Sequence, residues 1–312
     1  MPKRRPSDPS PELPFDPSDR DALMRDLQRL LGQQQFNSIE EVNAFLHREV
    51  MGKPLPRVKG TTNRERAEDL VMAAQAERSI AKAKKLLAEA LALDADCVMA
   101  HLALAELAEP AAETIAHCRD AMAAAERVFA AEADDHRPPV WYHPLGRPYM
   151  NARFLLADTL WSIGDRRAAI EEAQAMLALN PGDNQGMRYV LMEWLMRAGS
   201  LAEIDALLAA YADEASAVWR FSAALHRFRT HGSDAASNKL LRAAMASNKH
   251  VVPMLLGRTE LPTEQPMTVG FGDESEAVSY VLAALPSWFE CGAISWLEEH
   301  APTSGARRTK RR

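Results

Sequence analysis

Residues 150–183 read MNARFLLADTLWSIGDRRAAIEEAQAMLALNPGD. Leu156, Ala157 and Leu160 recur at helical spacing, and Gly164 marks a turn. Ala169 and Ile170 then open a second apolar face, which Met176, Leu177 and Pro181 close. The pattern suits two antiparallel helices packed closely. Small residues let the backbones approach, and the terminal proline stops the second helix before another begins.

Outward from this unit the same pattern recurs more loosely. In Arg64–Ala95 the small residues Ala83 and Ala90 take corresponding places. There LLAEALALDAD parallels EEAQAMLALNPGD, with Ala95 where Pro181 stands. A shortened pair is expected over 96–108 and 110–132, with Pro110 in the first turn of its second helix. Helices are expected near 184–198 and 201–211, broken by Gly199, and at 214–230 and 233–247, broken by Gly232. That makes about five hairpins, enough to bury a continuous core between neighbours.

The flanks divide as follows. Residues 1–20 are rich in Pro, Ser and Asp and read as a disordered tail. Residues 21–60 hold N-terminal helices and a linker. Leu23, Leu27, Leu30 and Leu31 give the first helix an apolar face, and Ser38 with Glu41 forms a capping box for the second. Gly52, Pro54 and Pro56 end that second helix. Residues 61–257 form the repeat array, opened by another box at Thr62 and Glu65 and stopped at Pro253 and Gly257. An aromatic, proline-rich insert at 134–149 interrupts it and is too long for a repeat turn. Residues 258–300 carry capping helices: Asp273 caps one, with Glu276 at its third position, and the last runs over Ser287–His300 with Trp288, Phe289, Ile294, Trp296 and Leu297. Residues 301–312 read as a disordered basic tail. The predicted fold is thus all-α: an α-solenoid of antiparallel helical hairpins with extra N- and C-terminal helices.

The unit from Met150 to Pro181 resembles the tetratricopeptide repeat in spacing, turn glycine and terminal proline. More widely, RPYMNARFLLADTLWSIGDRRAAIEEAQAMLALNPGDNQGMRYVLMEWLM and GFGDESEAVSY resemble bacterial relatives of the family named for suppression of tumorigenicity seven. The resemblance implies partner binding through the array, with no enzyme activity and no cofactor. Some relatives carry an appended zinc-binding module, and this chain has no CxxC pair to match it. The inner face of such an array is lined by defined positions of each first helix. Here these are Asn151, Phe154, Asp158 and Trp161, then Gln185, Arg188, Met192 and Leu195. Their mixture of polar, basic and aromatic side chains suits a groove for a peptide or helix. Phe154, Trp161 and Leu195 are equally suited to packing against neighbouring repeats. Arg188 takes one position used by tetratricopeptide clamps for carboxylates, but Met192 stands where the clamp has Asn.

The charge balance bears on which partners are excluded. A net charge of −6 and a pI near 5.9 make nucleic acid an improbable partner for the body of the chain. The alternative is a nucleic-acid-associated regulator that works through basic termini, Lys3, Arg4 and Arg5 at one end and Arg307, Arg308, Lys310, Arg311 and Arg312 at the other. No secretory leader or membrane span is expected, which makes the cytoplasm the default location. The three cysteines, Cys97, Cys118 and Cys291, fall in expected helices and read as reduced core thiols.

Candidate chemistry is thin. Cys97 and His101 share a helix face, and His117 and Cys118 follow on the next helix. Adjacent helical side chains point about 100° apart, so both of the latter cannot easily reach one metal ion. His136, Arg137, His143 and Arg147 in the insert lack a nucleophile with a matched base, so the insert reads as structural. The GFG at 270–272 precedes Asp273 and Glu274, which would repel phosphate from a helix start, so it reads as capping.

Overall fold

A computed structural model describes residues 17–51, 53, 57–131 and 140–301. The expected tail at 302–312, most of the tail at 1–20, the linker residues Gly52, Pro54 and Pro56, and His136 and Arg137 of the insert lie outside these. The regular structure of the described residues is helical, and no strand occurs among them. In chain order the helices are α1 (Pro17–Gly32), α2 (Ile39–Glu49), α3 (Asn63–Ala76), α4 (Ile80–Leu93), α5 (Val98–Glu106) and α6 (Ala111–Ala131). A 3₁₀ turn at Val140–Tyr142 precedes α7 (Gly146–Ser162), α8 (Arg166–Leu179), α9 (Met187–Ala198) and α10 (Leu201–Ala210). Then come α11 (Ala217–His231), α12 (Ala235–Ser247), α13 (Val251–Leu255), α14 (Glu274–Trp288) and α15 (Ala293–His300). The chain divides into two compact units, 1–109 with 120–131, and 110–119 with 132–312.

In the first unit α3 and α4 form a hairpin around Ala67, Val71 and Ala74 on one side and Ala83, Leu87 and Ala90 on the other. The alternation of alanine with larger residues allows close backbone approach at little entropic cost. Helix α1 is held differently from the leucine face expected for it. Leu23 is 46% exposed, and among the described side chains of α1 the buried ones are Asp26 and Arg29. The Arg29 guanidinium donates to Asp69 at 2.7 Å, to Glu68 at 3.1 Å, and to the carbonyls of Val58 and Glu65 at 3.0 and 2.7 Å. A buried arginine stays only where carboxylates and carbonyls satisfy its donors, and sequence periodicity does not reveal such partners.

The capping boxes differ in quality. Thr62 accepts the Glu65 N–H, and the Glu65 carboxylate accepts the N–H groups of both Thr61 and Thr62. Those backbone donors pull the Glu65 carboxyl down to about 2. At Ser38 only half of the expected box forms, because Glu41 reaches one residue further back, to the Asn37 N–H. Since the Glu65 carboxyl is depressed, its contribution is complete above the ordinary carboxylate range and is lost as pH falls toward its folded value. Glu65→Ala is therefore expected to cost about 1 kcal/mol at neutral pH. The penalty should shrink steadily below about pH 4. Urea melts across pH, followed by circular dichroism, would read both.

In the second unit α7 and α8 make the hairpin foreseen from Met150 to Pro181. Leu156, Ala157 and Leu160 are buried against Ala169, Ile170, Ala173 and Met176. Gly164 turns the chain at φ +90°, and Asp165 caps α8 by accepting the Ala168 N–H. Helix α8 packs on α9, α9 on α10, α10 on α11 and α11 on α12, so the hairpins stack in sequence order.

Pro253 sits inside the short α13, which ends at Leu255 before Gly257. Beyond it the C-terminal part departs from expectation in two ways. The helix expected over Ser287–His300 is two: α14 runs through Pro286 to Trp288, and α15 starts after Cys291 (φ +56°) and Gly292 (φ +74°). Cys291 is accordingly exposed in a turn rather than a core thiol, whereas Cys97 and Cys118 are buried as expected. Helix α14 packs on α9, α11 and α13, and α15 on α11. Phe221, Tyr280, Trp288 and Trp296 form the aromatic centre of this packing.

Candidate partner-binding surface

Asn151, Phe154, Asp158 and Trp161 fall three and four residues apart on α7 and so share a face. Asn151 and Asp158 are exposed, Phe154 is 39% exposed, and Trp161 is half-buried. Trp161 stacks on Trp194 of α9 with ring centres 4.9 Å apart, and the guanidinium groups of Arg166 and Arg197 each lie 5.4 Å from its ring centre. It joins two helices and presents only part of itself outward.

The equivalent positions beyond α8 behave otherwise. Gln185 precedes α9, in the turn that Gly186 makes at φ +73°, and its Nε2 donates to Asn151 Oδ1 at 3.0 Å. Met192, expected on the inner face, is fully buried, as is Leu195. The cause is enclosure: α9 is packed by α8, α10, α11 and α14, so a position open on α7 is interior on α9. Arg188 does not present its charge to a ligand either. It donates to Asp183 at 2.8 Å, to Glu214 at 2.9 and 3.1 Å, and to the Tyr189 hydroxyl at 2.6 Å, and it lies 4.2 Å from the Tyr189 ring centre. Burial alone would weaken this cation, but Glu214 and Asp183 outweigh it and hold the guanidinium above its ordinary value. Burial would likewise raise Glu214, and the Tyr189 hydroxyl, the Ser216 N–H and Arg188 together bring it below the usual carboxylate range. Two internal carboxylates thus occupy the Arg188 guanidinium.

Sequence reasoning missed Glu214 and Tyr189. Glu214 lies 26 residues from Arg188, in the turn before α11, and no spacing rule links the two. The described part of the insert, residues 140–149, is a structural element. Its last residues belong to α7, which starts at Gly146. A Cβ on Gly146 would meet the Val140 carbonyl oxygen at 1.7 Å, so only glycine fits there. His143 Nδ1 accepts the Leu145 N–H, and Arg147 lies over the Trp141 ring. The GFG segment caps as expected, with Asp273 accepting the Ser275 and Glu276 N–H groups.

Asn151 and Gln185, joined by that hydrogen bond, stand 34 residues apart, the length of one tetratricopeptide repeat. The array is tetratricopeptide-like. No known protein family matches the chain, and no curated protein does. Among solved structures, that of YrrB, described as a TPR protein with an unusual peptide-binding site, is similar to this chain. The similarity covers 59% of this chain and 84% of that one, at 16% identity and a TM-score of 0.37. At that level the tetratricopeptide-like assignment rests on the hairpins and their spacing. Among the described residues no helix is long and apolar enough to cross a membrane.

Proposed function

We propose that this protein is a non-enzymatic interaction scaffold, working in the cytoplasm, which binds a peptide or helix segment of a protein partner on the inner face of the array, at the solvent-exposed side of α7. The observation that supports this most is Phe154, a large apolar side chain left 39% exposed between the exposed Asn151 and Asp158. An apolar anchor flanked by an amide and a carboxylate fits one buried side chain of a partner and the hydrogen-bonding groups beside it. The corresponding surface of α9 is taken up by internal packing and by the Arg188 network. The resemblance of residues 147–196 to relatives of the suppressor-of-tumorigenicity-seven family points the same way.

Phe154→Ala should leave the fold intact, because the residue is not in the core. It should weaken partner capture about 10- to 30-fold, as loss of an aromatic anchor does. Co-purification from native lysate with mass spectrometry, run in parallel on wild type, Phe154→Ala and Asp158→Ala, tests this. Partners enriched equally by all three proteins, or none enriched by wild type across repeated conditions, would remove α7 as the site.

A further inference from the structure

Helices α9, α11 and α14 do not close completely on one another. They leave a cavity of about 180 Å³, to which Gln265, from the segment between α13 and α14, also contributes. Its wall is chiefly apolar, including Val190, Val218, Leu225 and Ala283, with the Tyr280 ring among them. A space of this size is comparable to engineered cavities that admit benzene, so it holds a short alkyl chain and its head group. Among the described residues that line it, Glu193 is the one that carries charge. Its Oε1 accepts from Arg197 at 3.3 Å, and the Arg197 guanidinium also lies over the Trp161 ring.

We infer that this cavity binds an alkylammonium group, with the alkyl stem against Val190, Val218 and Leu225 and the cationic head at Glu193. The walls set the stem: a ligand pocket takes its affinity from apolar lining and its orientation from a few polar groups. The one charged side chain among the described lining residues sets the head, since a carboxylate in an apolar wall favours a cation. Arg197 already engages one Glu193 oxygen. What remains suits the point charge of an ammonium better than a bidentate guanidinium. The ammonium is carried by a free amine or by a lysine side chain of a partner. The inference does not depend on the α7 reading, and Phe154→Ala should leave it unaffected.

Titrations of the full chain at neutral pH with n-pentylamine and n-pentanol, followed through the methyl NMR signals of Val190, Val218 and Leu225, test it. Pentylammonium should bind roughly tenfold more tightly than pentanol, the margin of one charge-assisted hydrogen bond. Glu193→Gln should abolish that preference while keeping pentanol binding. Ala283→Leu should fill the space and abolish both, and if that variant fails to fold, the Glu193→Gln comparison still decides. A blocked Gly-Lys-Gly peptide separates the two sources: its binding assigns the ammonium to a partner's lysine, and its failure beside bound pentylamine assigns it to a free amine. Equal binding of amine and alcohol, an amine preference that survives Glu193→Gln, or no binding of either compound overturns the inference.

Discussion

Glu276→Ala is expected to lower the stability of the second unit by about 3–5 kcal/mol. Glu276 is buried at the start of α14, and its carboxylate accepts three donors from three places in the chain. These are the Ala217 N–H at the start of α11 (2.8 Å), Asn248 Nδ2 just after α12 (3.0 Å) and the Gly272 N–H in the preceding turn (2.8 Å). Truncation would leave the Ala217 N–H buried with no acceptor and Asn248 Nδ2 with only the Asp273 carbonyl at 2.8 Å, and an unsatisfied buried donor costs its full desolvation penalty, about 1–3 kcal/mol. Glu276→Gln keeps one acceptor oxygen and should fall between wild type and Ala. Equilibrium urea unfolding of the three proteins is the measurement. A loss below about 1 kcal/mol for Glu276→Ala would show that the three donors find other acceptors.

Trp288→Ala should cost a similar amount, about 3–5 kcal/mol, by another route. The indole is fully buried among Phe221 and Trp296, at ring distances of 6.4 and 6.3 Å, and its Nε1 donates to the Tyr280 hydroxyl at 2.8 Å. Removing it opens a cavity lined by rigid rings that cannot collapse to fill the space. Trp288→Phe restores most of the volume but not the hydrogen bond, and is expected to recover more than half of the loss. Thermal unfolding followed by near-ultraviolet circular dichroism would rank the three proteins. If Trp288→Phe proved as unstable as Trp288→Ala, the hydrogen bond rather than the packing would be the larger contribution.

Legibility in the sequence followed the range of the interaction. The hairpin from Met150 to Pro181 was readable because every signal in it is local: the alanines, Gly164 and Pro181 act within a few residues of themselves. The same holds for the caps at Thr62 and Asp273. What escaped was long-range. Arg29 reaches Asp69 across 40 residues, and Arg188 reaches Glu214 across 26. Neither pair follows from spacing, because the fold alone brings the partners together. Met192 falls on the expected binding face for the same reason. Its place in the repeat is right for an open helix, and only the packing around α9 puts it inside. The stretch from Ser287 to His300 shows the opposite failure. Its aromatic pattern suggests one helix, but Cys291 and Gly292 adopt left-handed backbone that interrupts it. Of the candidate surface, Asn151, Phe154 and Asp158 on α7 stand exposed and Trp161 does so only in part, while Arg188 and Met192 on α9 are already committed to internal contacts.

The return of α14 onto α9 and α11 bears on how the chain is made. The α7–α8 hairpin depends on neighbours in sequence and can close as soon as it leaves the ribosome. Phe221 cannot be covered in the same way, because Tyr280 and Trp288 are synthesised well after it. During that interval α11 offers an apolar face to any chaperone or neighbouring nascent chain. Synthesis of α14 ends the exposure, so the second unit becomes safe from aggregation only once that helix has been made.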